Sequence, residues 1–112
     1  MANYQNVIPA RLGQAAMTTS YTTAYTVPDV TRTYLKDFDI INTTAATVRI
    51  YVHIVPVGSL VGTTNALFYY NALPAYTTMQ WTGSQVMNPG DTVQIRASAV
   101  GCTITISGGE AT

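Results

Sequence analysis

An alternating run in the middle of the chain constrains the fold more than any other sequence feature. Every second residue from 48 to 54 is branched and apolar, and the positions between them are polar or amphipathic: Val48, Ile50, Val52 and Ile54 against Arg49, Tyr51 and His53. Successive side chains of a strand point to opposite faces of a sheet, so this period of two indicates a strand with one buried face. Burial of such a face stabilises a fold by about 1.5 to 3 kcal/mol per side chain.

The same pattern predicts strands along most of the chain. Thr, Val, Ile and Tyr, which suit a pleated and half-buried surface, are abundant, whereas the helix formers Glu, Lys and Leu are scarce. The predicted strands are Thr22–Val27, Thr33–Asn42, Ala46–Val55, Ala66–Tyr70, Thr77–Trp81, Thr92–Ala99 and Cys102–Ser107, with a short eighth at Gln85–Met87.

Turn residues separate these strands. Asn88-Pro89-Gly90-Asp91 places Pro where φ is near −65° and Gly where φ is positive, which predicts a type II turn. Asn42-Thr43-Thr44 and Gly101 are expected to close two hairpins. We therefore predict an all-β fold, an antiparallel β-sandwich of seven to eight strands, jelly-roll-like, forming one domain over residues 21–112.

Residues 1–20 have neither sustained alternation nor a helical stripe. A terminus of this kind frays when nothing holds it, yet this one carries apolar side chains that water disfavours. We predict an extended N-terminal arm that docks on neighbouring subunits; the alternative is a short disordered tail. The arm's expected contact residues are Tyr4, Val7, Ile8, Leu12 and Met17.

The chain is unusually poor in charge. Charged residues make up 9% of its 112 residues, compared with about 25% in ordinary soluble domains. This composition predicts an assembly subunit. The formal net charge is zero and no basic cluster is present, which argues against nucleic acid as a partner.

Targeting signals are not evident in the sequence. The first residues lack the basic start and apolar stretch of a secretory signal, so synthesis in a cytoplasm is expected. The most apolar segment, residues 45–62, is interrupted by Arg49, His53 and Pro56, and no membrane insertion is predicted.

Residues able to support catalysis are few and scattered. Cys102 and His53 could form a nucleophile and base, but Cys102 lies in a strand-like run where a small buried side chain is the expected role. Asp37 and Asp39 share a strand face and could act as an acid–base pair or bind a cation, although solvation or pairing with Lys36 or Arg49 is expected. Asp91 and Glu110 are expected to be solvated. We predict no enzyme, cofactor or metal.

A stretch rich in aromatic residues is a more prominent feature of the sequence than these scattered polar residues. Rings with a polar edge are favoured where one side is dry and the other wet, as at subunit interfaces and sugar-binding platforms. The stretch predicts core packing and an aromatic contact surface for subunits, or alternatively for a glycan or receptor, formed by Phe68, Tyr69, Tyr70, Tyr76 and Trp81.

Four segments resemble small all-β structural proteins of tailed bacteriophages. They are Tyr25–Thr44, Ala46–Val52, Met87–Ala99 and Thr103–Glu110, and they contain a strand ending in Val-Pro, a strand ending in Asn-Thr, an alternating partner and a Pro-Gly-Asp turn leading into the final hairpin. The sequence departs from many relatives at Pro28-Asp29-Val30, where they have Pro-Ala-Gly.

The resemblance implies a non-enzymatic virion protein, present in several copies and contacting other virion proteins. With this role we expect a homo-oligomer, a trimer, that docks through its N-terminal arm. Its implied place is the capsid, as a decoration or fibre base, or the neck or tail. A carbohydrate-binding module for host adsorption is the alternative.

Overall fold

The computed structural model describes residues 6–112, which form eight strands and one short 3-10 turn. The strands are β1 (Val7–Ala16), β2 (Thr22–Thr26), β3 (Arg32–Asn42), β4 (Val48–Val55), β5 (Ala66–Leu73), β6 (Thr78–Met87), β7 (Thr92–Ala97) and β8 (Cys102–Ala111), and the 3-10 turn is Thr63–Asn65.

The strands pair in two four-stranded antiparallel sheets. The first sheet has the order β1-β8-β3-β6, and the second has the order β2-β7-β4-β5. Within the described residues, β4 and β5 are the only consecutive strands that pair with each other, so the chain otherwise passes from one sheet to the other at each connection. This path is that of a jelly roll, and the predicted all-β sandwich is confirmed.

The core lies between the two sheets. Alternating residues of each strand project inward, and because both inner faces are apolar, they exclude water from the space between them. The fully buried side chains include Leu35, Phe38, Ile40, Ile104 and Ile106 of the first sheet and Ile50, Val52, Val93 and Ile95 of the second.

The two predicted hairpins are wrong. Asn42-Thr43-Thr44 and Gly101 each connect strands of different sheets. The Asn42 side chain is buried and donates hydrogen bonds to the carbonyl oxygens of Ala46 (2.8 Å) and Leu73 (3.0 Å), so it fixes a corner between the sheets. Thr43 N also donates to Gly101 O at 3.1 Å, which holds the two crossing connections side by side.

The turn at residues 88–91 forms as predicted, with Gly90 at φ 87° and Asp91 N donating to Asn88 O at 3.0 Å. The expectation that Asp91 is solvated is wrong. Its carboxylate is buried and accepts hydrogen bonds from the backbone N–H groups of Val57 and Asn88, both at 2.9 Å. Asp91 therefore joins this turn to the loop that follows β4.

Residues 7–16 form a strand of the sandwich, and this corrects the expected boundary at residue 20. β1 pairs with β8 from Val7 opposite Ala111 to Ala16 opposite Thr103. Without β1, the backbone groups of β8 on that side would have no partner. A bulge between Arg11 and Gly13 interrupts the alternation, which is why the sequence pattern did not show a strand.

Because β1 pairs with β8, the residues predicted to form the arm's contacts differ in how accessible they are. Met17 is 1% exposed and belongs to the core, so it is not available to a neighbour, whereas Leu12 is partly buried against the core and its contact with another subunit stays a prediction. Val7 and Ile8 are 51% and 56% exposed, and their contact with another subunit stays a prediction. Tyr4 lies outside the described residues.

The predicted strands Thr77–Trp81 and Gln85–Met87 are one continuous strand, β6. Its pairing with β3 shifts register at Lys36, with Asp37 opposite Thr82 and Leu35 opposite Gln85. At this shift, Lys36 of β3 and Gly83 and Ser84 of β6 have no directly opposite residue in the strand register. The alternation of inward and outward side chains is therefore interrupted in both strands.

Candidate binding face on the second sheet

The outer face of the second sheet carries a cluster of aromatic and cationic side chains. On β4, Arg49, Tyr51 and His53 alternate with the residues that enter the core, so they point outward. Arg96 on β7 lies directly opposite Tyr51. We call this cluster the Tyr-Arg face, formed by Tyr21, Arg49, Tyr51, His53, Tyr69, Tyr70 and Arg96.

A bulge in β5 brings two consecutive tyrosines to this face. Ile50 pairs with Asn71 and Val52 with Phe68, so Tyr69 and Tyr70 together lie opposite the single residue Tyr51. Both rings meet the Tyr51 ring edge-on, with centroids 5.1 and 6.2 Å away.

The bulge holds Tyr70 in the left-handed region, at φ 57°. Such a conformation costs a non-glycine residue about 1 to 3 kcal/mol. Asn71 supports it by accepting a hydrogen bond from Tyr69 N at 3.1 Å. Bulges of this kind are common beside functional sites, where they redirect side chains.

The His53 side chain is buried beneath the Tyr-Arg face and supports it. Tyr21 Oη lies 3.0 Å from His53 Nε2, and Asn65 Oδ1 lies 2.9 Å from His53 Nδ1. Asn65 Oδ1 also accepts from Gly62 N, and its Nδ2 donates to Leu60 O at 3.0 Å. These contacts assign the proton to His53 Nδ1 and make Nε2 the acceptor for the Tyr21 hydroxyl. The ring of Tyr21 is thereby fixed in place.

Both arginines lie on tyrosine rings. The Arg49 guanidinium carbon is 4.7 Å from the centroid of Tyr70, and that of Arg96 is 4.9 Å from Tyr51 and 5.6 Å from Tyr21. Arg96 Nε also donates to Thr19 O at 3.1 Å. Among the residues the structure describes, neither guanidinium meets a carboxylate, so the cations are held by rings and backbone carbonyls.

The five residues of the predicted aromatic surface lie in three places. Tyr69 and Tyr70 are on the Tyr-Arg face. Phe68 and Trp81 pack against the core, where both rings contact Phe38, with centroids 5.5 and 5.2 Å from it. Tyr76 is 72% exposed on the connection between β5 and β6. The prediction that these five residues form a single surface is therefore wrong. Successive residues of a regular strand face opposite sides of the sheet, and the β5 bulge places Tyr69 and Tyr70 on the same side.

The sequence analysis did not predict that Tyr21, Arg49, Tyr51, His53 and Arg96 share a face with Tyr69 and Tyr70. The alternation of β4 already placed Arg49, Tyr51 and His53 on one side of a strand, and that was the available signal. Tyr21 and Arg96 join them only through the pairing of β2, β7 and β4, which strand patterns do not specify.

Cys102 and His53 do not form a catalytic pair. Cys102 is 1% exposed on the inner face of β8, and burial raises the pKa of its thiol, which disfavours the nucleophilic thiolate. His53 lies on the outer side of the other sheet, with both ring nitrogens engaged.

Asp37 and Asp39 lie outward on β3, opposite Thr82 and Gln80 of β6. No group of three or more His, Cys, Asp or Glu that could hold a metal occurs within residues 6–112. No helix in this same part of the chain is long and apolar enough to span a membrane.

Glu110 is not simply solvated, contrary to expectation. Tyr25 Oη donates to Glu110 Oε2 at 2.5 Å and lies 2.7 Å from Thr33 Oγ1. Burial, reinforced by the hydrogen bond to Glu110, raises the pKa of the Tyr25 hydroxyl well above its usual value. This polar cluster links β2 of one sheet to β3 and β8 of the other.

The sequence matches no protein-family model, and it matches no curated protein. The fold is similar to a chain in the crystal structure of the T13 viral particle of infectious bursal disease virus, with a TM-score of 0.55 and 11% identity over 98% of this chain. It is also similar to a chain in the structure of the Gx strain of that virus, with a TM-score of 0.53 and 15% identity over 95% of this chain.

The protein spans about a third of each of those longer chains, 31% and 32%. At these identities, the likeness concerns the fold. It shows that this protein has the fold of an eight-stranded antiparallel sandwich.

Proposed function

We propose that this protein is a non-enzymatic structural component of a virion. The observation that carries the proposal is the fold: 98% of this chain, as a jelly-roll sandwich, matches part of a chain of a viral particle. Jelly rolls are common in viral capsids, but they also occur in lectins and enzymes of the cupin type, so the fold must be combined with the chemistry of the surface.

The surface supports a role in assembly. Only five basic and five acidic residues are available to a chain of 112 residues. Several large apolar side chains are exposed, among them Leu60 at 90% and Val57 and Val30 at 64% each. Contact with other subunits would remove this apolar area from water, which is the dominant favourable term in protein association.

The proposal extends to place and partners. We propose a subunit of a tailed-bacteriophage particle, made in the bacterial cytoplasm and attached to the capsid, neck or tail as a decoration or fibre base. A homotrimer is the proposed assembly unit, with Val7 and Ile8 of β1 at its contacts. The resemblance of the four segments to phage structural proteins supports these finer statements.

The test is the protein composition of purified particles. Particles released by the source culture are banded on a density gradient, and the proteins of each fraction are quantified by mass spectrometry. We expect peptides of this chain to follow the particle band in constant ratio to the major capsid protein, at several copies per particle. Recovery only in the particle-free fractions would contradict the proposal.

A further inference from the structure

We propose that the Tyr-Arg face binds acidic glycans, that is, sugars carrying carboxylates such as uronic or sialic acids. In this arrangement, Arg49 and Arg96 bind the carboxylate, and the exposed rings of Tyr69 and Tyr70 pack against the sugar. The inference goes beyond a structural role in the particle, since a face on the outside of a subunit can contact a host surface.

The distribution of charge indicates an anionic ligand. Arg49 and Arg96 are diagonal neighbours on adjacent strands, because Arg96 lies opposite Tyr51 and Ser98 N donates to Arg49 O. Such neighbours have Cα atoms about 7 to 8 Å apart, close enough for two guanidinium groups to serve one acidic sugar. The described carboxylates lie elsewhere: Asp37 and Asp39 on the first sheet, Asp91 and Glu110 in the hydrogen bonds given above, and Asp29 before β3.

The face is also ordered before any ligand arrives. His53 fixes Tyr21, Thr19 O fixes Arg96, and the β5 bulge fixes Tyr70 against Arg49. A site whose side chains are already held in position loses less conformational entropy on binding. The strain at Tyr70 is consistent with such a site, since strained backbone is retained where the surrounding structure supports a function.

The exposed chemistry favours a sugar over a polypeptide. Tyr69 and Tyr70 are each 54% exposed, and they are the exposed large apolar residues of the face. Their rings offer a flat apolar surface with a hydroxyl at the edge, which suits the C–H faces and hydroxyls of a pyranose. β4 and β7, which carry Arg49, Tyr51 and Arg96, already pair on both sides, so a peptide could add as a strand only at the edge strands β2 and β5 and not across the centre of the face.

The test measures binding of defined sugars to the intact chain by titration calorimetry. The probes are an oligogalacturonate and an oligosialic acid. Two matched controls accompany them: the methyl ester of the oligogalacturonate, which keeps the sugar and removes the charge, and an oligoglutamate, which keeps the charge and removes the sugar. We expect at least one acidic sugar to bind about tenfold or more tightly than either control.

Two pairs of variants locate the site. Arg49→Gln is compared with Arg11→Gln, since Arg11 lies on the exposed side of β1 in the other sheet. Tyr70→Ala is compared with Tyr76→Ala, since Tyr76 is also exposed and also has a positive φ, at 56°, but is not on the face. We expect the first of each pair to weaken binding by about tenfold and the second to leave it unchanged. Circular dichroism checks that each variant is folded, and Arg49→Gln alone suffices if Tyr70→Ala does not fold.

Three results would overturn the inference: no binding of either acidic sugar, equal binding of the methyl ester or the oligoglutamate, or equal loss of binding in Arg11→Gln. Preferential binding of the oligoglutamate would indicate an acidic protein partner instead. Because particle composition is measured separately, the glycan site can fail while the structural role stands, and the reverse also holds.

Discussion

At the scale of single residues, Phe38 connects the two sheets of the sandwich. Its ring is fully buried, stacks on Trp81 of β6 with an interplanar angle of 17°, and meets Phe68 of β5 edge-on at 86°. Phe68 and Trp81 lie on edge strands of different sheets, so Phe38 closes the open side of the core. Aromatic pairs contribute about 0.5 to 1.5 kcal/mol each beyond the area that they bury.

Replacement of this ring should strongly destabilise the fold. We expect Phe38→Ala to lower the free energy of unfolding by about 3 to 5 kcal/mol, because it removes both ring contacts and leaves a cavity. Urea denaturation followed by tryptophan fluorescence measures the loss. Tyr76→Ala, at an exposed ring, is the control and should change stability by less than about 0.5 kcal/mol. Similar losses in the two variants would show that Phe38 does not hold the sheets together.

Tyr25 should make the fold sensitive to alkaline pH. Its pKa is raised in the folded state by burial and by the Glu110 hydrogen bond, whereas in the unfolded chain it is about 10. The folded state therefore retains a proton that the unfolded state releases. The stabilisation is complete below pH about 10 and is lost as the pH rises towards the folded value.

The comparison with Tyr25→Phe isolates this effect. Unfolding free energies of both proteins are measured by urea titration from pH about 8 to 11. We expect the wild type to lose more stability per pH unit above pH about 10 than the variant, since one fewer tyrosine titrates in Tyr25→Phe. Parallel losses in the two proteins would contradict the role assigned to Tyr25.

At the scale of strands, alternation predicted six of the eight strands, including several whose pairing contains a bulge. β2, β3, β4, β5, β7 and β8 were found within a few residues of their ends, because one face of each enters the core. β1 was missed because a bulge near Leu12 breaks its period, and β6 was divided by the register shift opposite Lys36. A bulge in β5 likewise places Tyr69 and Tyr70 on the same side of the sheet. Bulges depend on the partner strand, and local sequence does not determine them.

The assignment of β1 to the sandwich can be tested by amide hydrogen exchange. We expect the β1 amides that donate to β8 to exchange at least about a hundredfold more slowly than those of an unstructured peptide, since they open only with the sheet. Mass spectrometry of peptides covering residues 7–16 and 102–111 measures both strands. Free-peptide exchange in β1 with continued protection of β8 would instead support a detachable N-terminal arm.

At the scale of the whole molecule, composition and strand count indicated the sandwich but not the path of the chain. The expected hairpins at Asn42 and Gly101 are instead crossings between sheets, fixed by the buried Asn42 amide and by the bond from Thr43 N to Gly101 O. The Asn42 amide reaches Leu73, 31 positions away, and Thr43 and Gly101 are 58 positions apart, so only the folded chain displays these contacts. The Tyr-Arg face likewise exists only once β2, β7, β4 and β5 lie side by side.

The account as a whole depends on association, because a chain with so few charges exposes Val7, Ile8, Val57 and Leu60 when alone. The most direct measurement is the mass of the purified protein in solution, by sedimentation equilibrium over a wide concentration range. The account predicts a trimer, with three times the 12.0 kDa mass of one chain. A single species of 12.0 kDa at every concentration, stable and free of association, would contradict it.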